Sequence, residues 1–223
     1  DGLIVKSVGG DFIIHDVKVI DRIDAIGFSD LIILGVKAWQ VKEIAPDLNQ
    51  IIKKDTTVMP LQNGILAAEE LIECIDNENI INGLCRIFSK IESPGVINHF
   101  GFEPSIVFGE LNNSKTNRVN HIKSIFDKSG INSRIAENIE ADIWKKFIAI
   151  CVGGLMAITK TTYGELRELK ETRLMMIELL TEIFNLSQKA GVLIGSDFVK
   201  STVALIDSVP FDSTASLSRD VWE

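Results

Sequence analysis

Two continuous apolar runs, "DLIILGV" (30–36) and "TTVMPL" (56–61), bracket a segment whose apolar residues recur at helical spacing: Val41, Ile44, Leu48, Ile51 and Ile52. A strand with no polar alternation has to be covered on both faces, as in a parallel sheet. Parallel neighbours cannot be joined by a tight turn, so the helix between them is the crossover. A second helical segment, "GILAAEELIECI" (64–75), follows the second strand. Strand, helix, strand, helix is the order of an α/β fold with a doubly wound, Rossmann-type sheet.

The flanks extend this core. "LIVKSV" and "DFIIHDVKVI" (11–20) are short, β-branched and split by Gly9-Gly10, which predicts a hairpin. Residues 81–111 read as consecutive antiparallel strands broken at Ser93-Pro94-Gly95 and at Glu103-Pro104. "NRVNHIKSIFDKSG" reads as a helix stopped by Gly130, and "INSRIAEN" as a last edge strand. From Ile139 the character changes. Residues 140–191 are helical throughout, with Gly191 as the stop. A further helix opens on Ser196 as N-cap, carries Lys200 and Thr202 on its polar side and ends at Pro210; "STASLSRDVWE" begins another. The expected division is an α/β domain over 1–138 and an all-helical domain over 139–223.

Composition narrows the partners. The net charge is −8 and the pI about 5.0, which argues against nucleic acid and against docking on an anionic membrane. Cys74, Cys85 and Cys151 form no CxxC pair and read as buried free thiols in a reducing, cytoplasmic compartment. His15, His99 and His121 show no metal-ligand spacing. The most apolar stretch, Phe147 to Ile158, is about half the ~20 residues that a membrane span requires. The chain opens on Asp1 without a signal-peptide pattern and stops at Glu223 inside a helical segment, so a piece of a longer protein is expected.

Four segments carry the candidate chemistry. Ligands of open α/β sheets bind beyond the carboxyl ends of the strands, and Lys37 and Asn63 stand at two such ends. Each alone also fits a plainer role, a solvated lysine at a helix start and an Asn-Gly turn. On the most apolar helix, Lys146, Ile150 and Gly154 fall on one face, while Lys145 points about 100° away toward solvent. An inward lysine either snorkels from the helix start or serves a charge. In "STASLSRD", Ser213 or Thr214 suits an N-cap, and composition does not single out Ser216.

Taken in order, "GLIVKSVGGDF", "VKAWQ", "PLQNGI", "SPGVINHFG", "IWKKF", "YGEL" and "SLSRD" resemble the ketopantoate reductase family over essentially the whole chain. The resemblance implies an N-terminal Rossmann-type domain that binds NADP(H), a helical domain that closes over it, and a 2-keto acid substrate between them. It implies that Lys37 and Gln40 line the cofactor site, that Asn63 meets cofactor and substrate, and that Ser89 falls near a position touching the cofactor through its backbone. It makes Lys146 the catalytic lysine and Ser216 the holder of the substrate carboxylate, and it allows a homodimer. The family's G-x-G-x-x-G loop is absent; Gly9-Gly10 and Gly153-Gly154 lack its strand-turn-helix context. By the family pattern the loop would precede Asp1 and an active-site glutamate would follow Glu223. The family's asparagines one and two turns beyond the lysine are Ile150 and Gly154 here. Three functions follow: a ketopantoate reductase, a reductase of a more apolar 2-keto acid, or a non-catalytic dinucleotide-binding sensor. Lys146 and Ser216 weigh against the last.

Overall fold

The computed structural model describes residues 2–222. The chain forms two compact units, Asp1–Ile139 and Glu140–Glu223.

In the first unit, β1 (Leu3–Ser7) and β2 (Phe12–Ile14) make the expected antiparallel hairpin, with Leu3 opposite Ile14. Its turn closes with the Gly10 N–H donating to the Ser7 carbonyl at 2.9 Å. β2 stops at Ile14 rather than Ile20: Ile14 pairs with Leu3, the first residue of β1.

The crossover is built as anticipated. β3 (Leu31–Leu34) and β4 (Thr57–Pro60) are parallel, joined through a 3₁₀ turn (Ala38–Gln40) and α1 (Val41–Leu48). α2 (Ala67–Ile72) follows β4. Both helices are shorter than their apolar patterns. Ile51 and Ile75 lie beyond the helix ends yet are buried, so at these positions periodicity reported burial and not helix.

β4 alternates between two cores. Val58 joins Leu34, Val41, Leu48 and Leu71 on the α1–α2 side. Met59 joins Ile81, Phe108 and Val119 on the side of α3 (Asn117–Lys128).

β5 (Ile81–Ser93) and β6 (Val96–Glu110) form one long hairpin about Pro94-Gly95. The sheet order is β2-β1-β6-β5, with β7 (Ser133–Ile135) parallel to β6. The break expected at Glu103-Pro104 is instead a bulge within β6: pairing jumps from Arg86–Ser105 to Phe88–Phe100. Proline cannot donate to a ladder, and a bulge is where a strand tolerates it. α3 is capped by Thr116, and Gly130, at φ +68°, follows its end. Glu110, at the end of β6, accepts from Thr116 and from Arg118 Nε at 2.7 Å, and Arg118 also donates to the carbonyls of Glu78 and Ile80.

The second unit holds α4 (Ile139–Thr159), α5 (Tyr163–Glu168), α6 (Lys170–Lys189), α7 (Phe198–Ser208) and α8 (Ser216–Trp222). The run expected to be unbroken is three helices. Lys160 takes a left-handed φ of +53° after α4, and Thr162 and Glu165 make a reciprocal capping box for α5. Asp197, not Ser196, precedes α7, and its side chain does not cap it. Thr202 is buried rather than on the polar face, since α7 packs that side inward. Arg173 clamps Asp207 with two bonds of 2.6 and 2.8 Å. Cys74 is exposed, correcting the expectation of three buried thiols; Cys85 and Cys151 are partly buried.

Candidate active site

In the first unit, Lys37, Gln40 and Asn63 all stand at the carboxyl edge of the β3–β4 pair. Lys37 stands three residues beyond the end of β3 and is exposed, and its ammonium lies 5.9 Å from the Trp39 ring centroid. The Gln40 carboxamide oxygen accepts the Lys37 backbone N–H at 3.0 Å, so one side of Gln40 is committed to shaping the turn. Asn63 is exposed at the end of β4. Ser89 is exposed on β5, opposite His99. Val58 bridges Ile80 in parallel.

Gln62, which the sequence did not single out, is the unusual residue at this edge. It is 9% exposed, and among the described residues neither atom of its carboxamide has a hydrogen-bond partner. A buried orphan amide costs about 1–3 kcal/mol. Gln62→Leu, near in volume, is therefore expected to raise the stability of the ligand-free protein by about that amount, read as a higher urea midpoint at unchanged slope.

In the second unit, α4 carries the lysine. Lys146 is half-buried, and Lys145 lies 3.9 Å from Asp142 on its own helix. Lys146, Ile150, Gly153 and Ala157 follow one another at i, i+4, i+7 and i+11, a single stripe along the helix. α8 is seated on this stripe. The Ser218 hydroxyl donates to the Gly153 carbonyl at 3.2 Å, and the Trp222 indole N–H to the Ala157 carbonyl at 3.1 Å. Both contacts advance by four residues in the same sense, so α8 runs parallel to α4. Ala215 packs directly against Gly153, which sets Ser216 at about the level of Gly153 and Gly154. This is about 10–12 Å along the axis from Lys146 at 1.5 Å per residue.

The structure thus gathers Lys146, Ile150 and Ser216 along one strip of one unit. Ser216 is exposed and is the first residue of α8. Neither Ser213 nor Thr214 caps that helix: the Ala215 carbonyl accepts the Arg219 N–H, and Thr214 is held by the Arg219 guanidinium. Gly154 lies about 100° round the helix from Gly153 and opens on a different space, a groove of about 420 Å³ shared with Cys151, Leu155, Met175 and Leu179 and edged by Glu178 and Glu182. Burial raises the Cys151 thiol pKa there. The composition pointed to no role for Gly153 or Ser218; a Gly-Gly pair inside a helix, with a serine four residues before a tryptophan, was their only signal.

Among the described residues no three His, Cys, Asp or Glu side chains gather as a metal site, and no helix is long and apolar enough to cross a membrane.

A parallel crossover ending in a polar carboxyl edge, followed by a helical unit with a lysine on a mostly buried helix, defines a class: chains pairing a Rossmann-type N-terminal domain with a helical C-terminal one. The chain belongs to the ketopantoate reductase PanE/ApbA family. The model of that family matches residues 1–113, and the model of its C-terminal part matches residues 138–223. It is similar to a 2-dehydropantoate 2-reductase of Nostoc sp. (28% identical over 207 residues, 90% of this chain) and to the uncharacterized oxidoreductase YkpB of Bacillus subtilis (27% over 198 residues, 87% of this chain). It spans 65% of the length of each. The crystal structure of 2-dehydropantoate 2-reductase from Geobacter metallireducens shares the fold, with a TM-score of 0.91 and 24% identity over 99% of this chain and 74% of that one.

Proposed function

We propose that the protein reduces a 2-keto acid with NADP(H), 2-dehydropantoate to pantoate in the first reading. The observation that carries this is the strip on α4: a lysine, a pocket wall and a serine hydroxyl within about two helical turns. Support from outside the site is the family membership and the 2-dehydropantoate 2-reductase among the relatives.

The residues fit the cofactor. Lys37 offers an exposed cation to a phosphate, Asn63 an exposed amide at the strand edge, and Gln62 an amide with unused donors and acceptor. NADPH, when bound, supplies the hydride to the carbonyl carbon. Lys37 and Asn63 hold and orient, with Gln40 shaping the turn and Ser89 contributing backbone. Lys146 faces the keto oxygen, stabilises the negative charge that grows there, and delivers its proton to make the hydroxyl. Ser216 binds the substrate carboxylate, and Ile150 lines the space beside it, with Gly154 round the helix toward the α4–α6 groove. The enzyme works in the cytoplasm, in pantothenate synthesis, as a homodimer.

A second reading has a specific observation behind it. Ile150 offers no hydrogen bond to a hydroxylated substrate, and each neutral bond lost costs about 1 kcal/mol. A more apolar 2-keto acid would suit this wall better. The test is kcat/KM over 2-dehydropantoate, 2-oxoisovalerate and phenylglyoxylate, each with NADPH and NADH, with Ile150→Asn alongside. The second reading expects an apolar substrate to lead and Ile150→Asn to move preference toward 2-dehydropantoate. If 2-dehydropantoate already leads and Ile150→Asn does not improve it, the plain family activity stands. A protein that binds NADPH but reduces none of the three would be the sensor.

A further inference from the structure

We propose that Gly153 is a specificity-determining position: by bringing α8 against the bare backbone of α4, it sets how large a 2-keto acid side chain fits between Ile150 and Ser216. The inference rests on the reductase reading above.

The contact leaves no room for any other residue. A Cβ on Gly153 would stand 2.8 Å from the Ala215 Cβ, closer than two methyl carbons can approach. Neither atom is the far end of a flexible side chain, so relief requires one helix to move. α8 is the element free to do so. It is short, and the Ser218 and Trp222 bonds tie it to α4. Ser218 is fully buried and donates to the carbonyl of Gly153 itself, so the point of closest approach is also the point of attachment. Ala215 directly precedes Ser216. Any shift at Ala215 passes to the serine without a flexible segment between them.

Gly153 is also on the functional strip: it falls at i+7 from Lys146 and i+3 from Ile150, whereas Gly154 faces the α4–α6 groove. A bare position here lets Ser216 approach the lysine stripe closely. On this proposal the substrate side chain beside Ile150 has to be short or flat.

The test moves one methyl group between the helices. Gly153→Ala is expected to push α8 outward and raise KM for 2-oxoisovalerate and 2-dehydropantoate up to about 10²-fold, the scale of a misplacement near 1 Å. Phenylglyoxylate should suffer less, so the ratio of kcat/KM values shifts toward the bulkier acid. The dissociation constant for NADPH should be unchanged. Adding Ala215→Gly to Gly153→Ala removes the opposing methyl and should restore the wild-type KM values and ratio. A purely structural glycine would instead lower all substrates equally. Equal loss across the panel, or a double variant that stays impaired or unfolded, overturns the proposal. If Gly153→Ala alone does not fold, the double variant still decides: wild-type substrate order supports the assignment, and any other order overturns it. A wild-type protein that reduces no 2-keto acid overturns both this and the reading beneath it, which the first arm of the panel shows by itself.

Discussion

Lys146→Ala is expected to lower kcat for 2-keto acid reduction by about 10²-fold or more, with the NADPH dissociation constant little changed. Two roles converge on this side chain. It stabilises charge on the developing alkoxide, worth roughly 10²–10³ for one well-placed donor, and it supplies the proton, worth roughly 10²–10⁴. The two are not additive, because one group performs both. Lys146→Arg separates them: arginine keeps the charge but does not release a proton near neutral pH. It should recover part of the loss. Lys145 pairs with Asp142 on a different face of α4, so Lys145→Ala should leave kcat within about 2-fold, the effect of a surface change. Equal losses from the two alanine variants would break the assignment of faces on α4. They would leave the strip that Ser216 and Ile150 share without its catalytic group.

How much of this was legible in the chain depends on which physical rule each element obeys. β3 and β4 were readable because burial on both faces writes an uninterrupted apolar run. The edge formed by Lys37 and Asn63 then followed from the direction of a parallel crossover. Helix ends were misjudged where burial outlasts the helix: Ile51 and Ile75 belong to the core of the first unit but lie in turns. Pro104 read as a break because a proline forbids a ladder bond; a bulge satisfies the same prohibition without ending the strand. The unbroken helical run failed at Lys160, where a lysine takes the left-handed conformation that glycine usually fills. At the site, Lys146 could be placed on a face by counting, since its neighbours on the stripe are local. Gly153 and Ser218 could not, since their meaning lies in a contact between residues 65 apart in sequence. Gln62 is illegible in the sequence for the opposite reason. Polar residues at strand ends are ordinary, and only the three-dimensional accounting of donors and acceptors shows that this one is unsatisfied.

A large loss of stability is expected from Arg118→Leu, about 3 kcal/mol at neutral pH, the upper end for leaving a buried acceptor without its main partner, because Arg118 itself is only partly buried. Glu110 is only 5% exposed. Burial alone would push its carboxyl up, but the hydrogen bonds from Arg118 and Thr116, with the Arg118 charge, together outweigh burial and hold it below the ordinary glutamate value. A depressed folded-state pKa fixes the sign. The unfolded chain takes up the proton first, at about pH 4.3. The stabilisation is therefore full above that pH and is lost as pH falls through the lower folded-state value. Removing Arg118 reverses the sign. Burial is then opposed only by the Thr116 hydroxyl, so the folded-state pKa rises above the unfolded one. Relative to the wild type, the variant should regain stability as pH falls from 7 toward 5. Urea midpoints from pH 7 to 3.5 test this, with Glu110→Gln as the control that removes the titration. Parallel pH profiles for wild type and Arg118→Leu would mean that the loss comes from the Glu78 and Ile80 carbonyls that Arg118 also holds, and not from the carboxylate left behind.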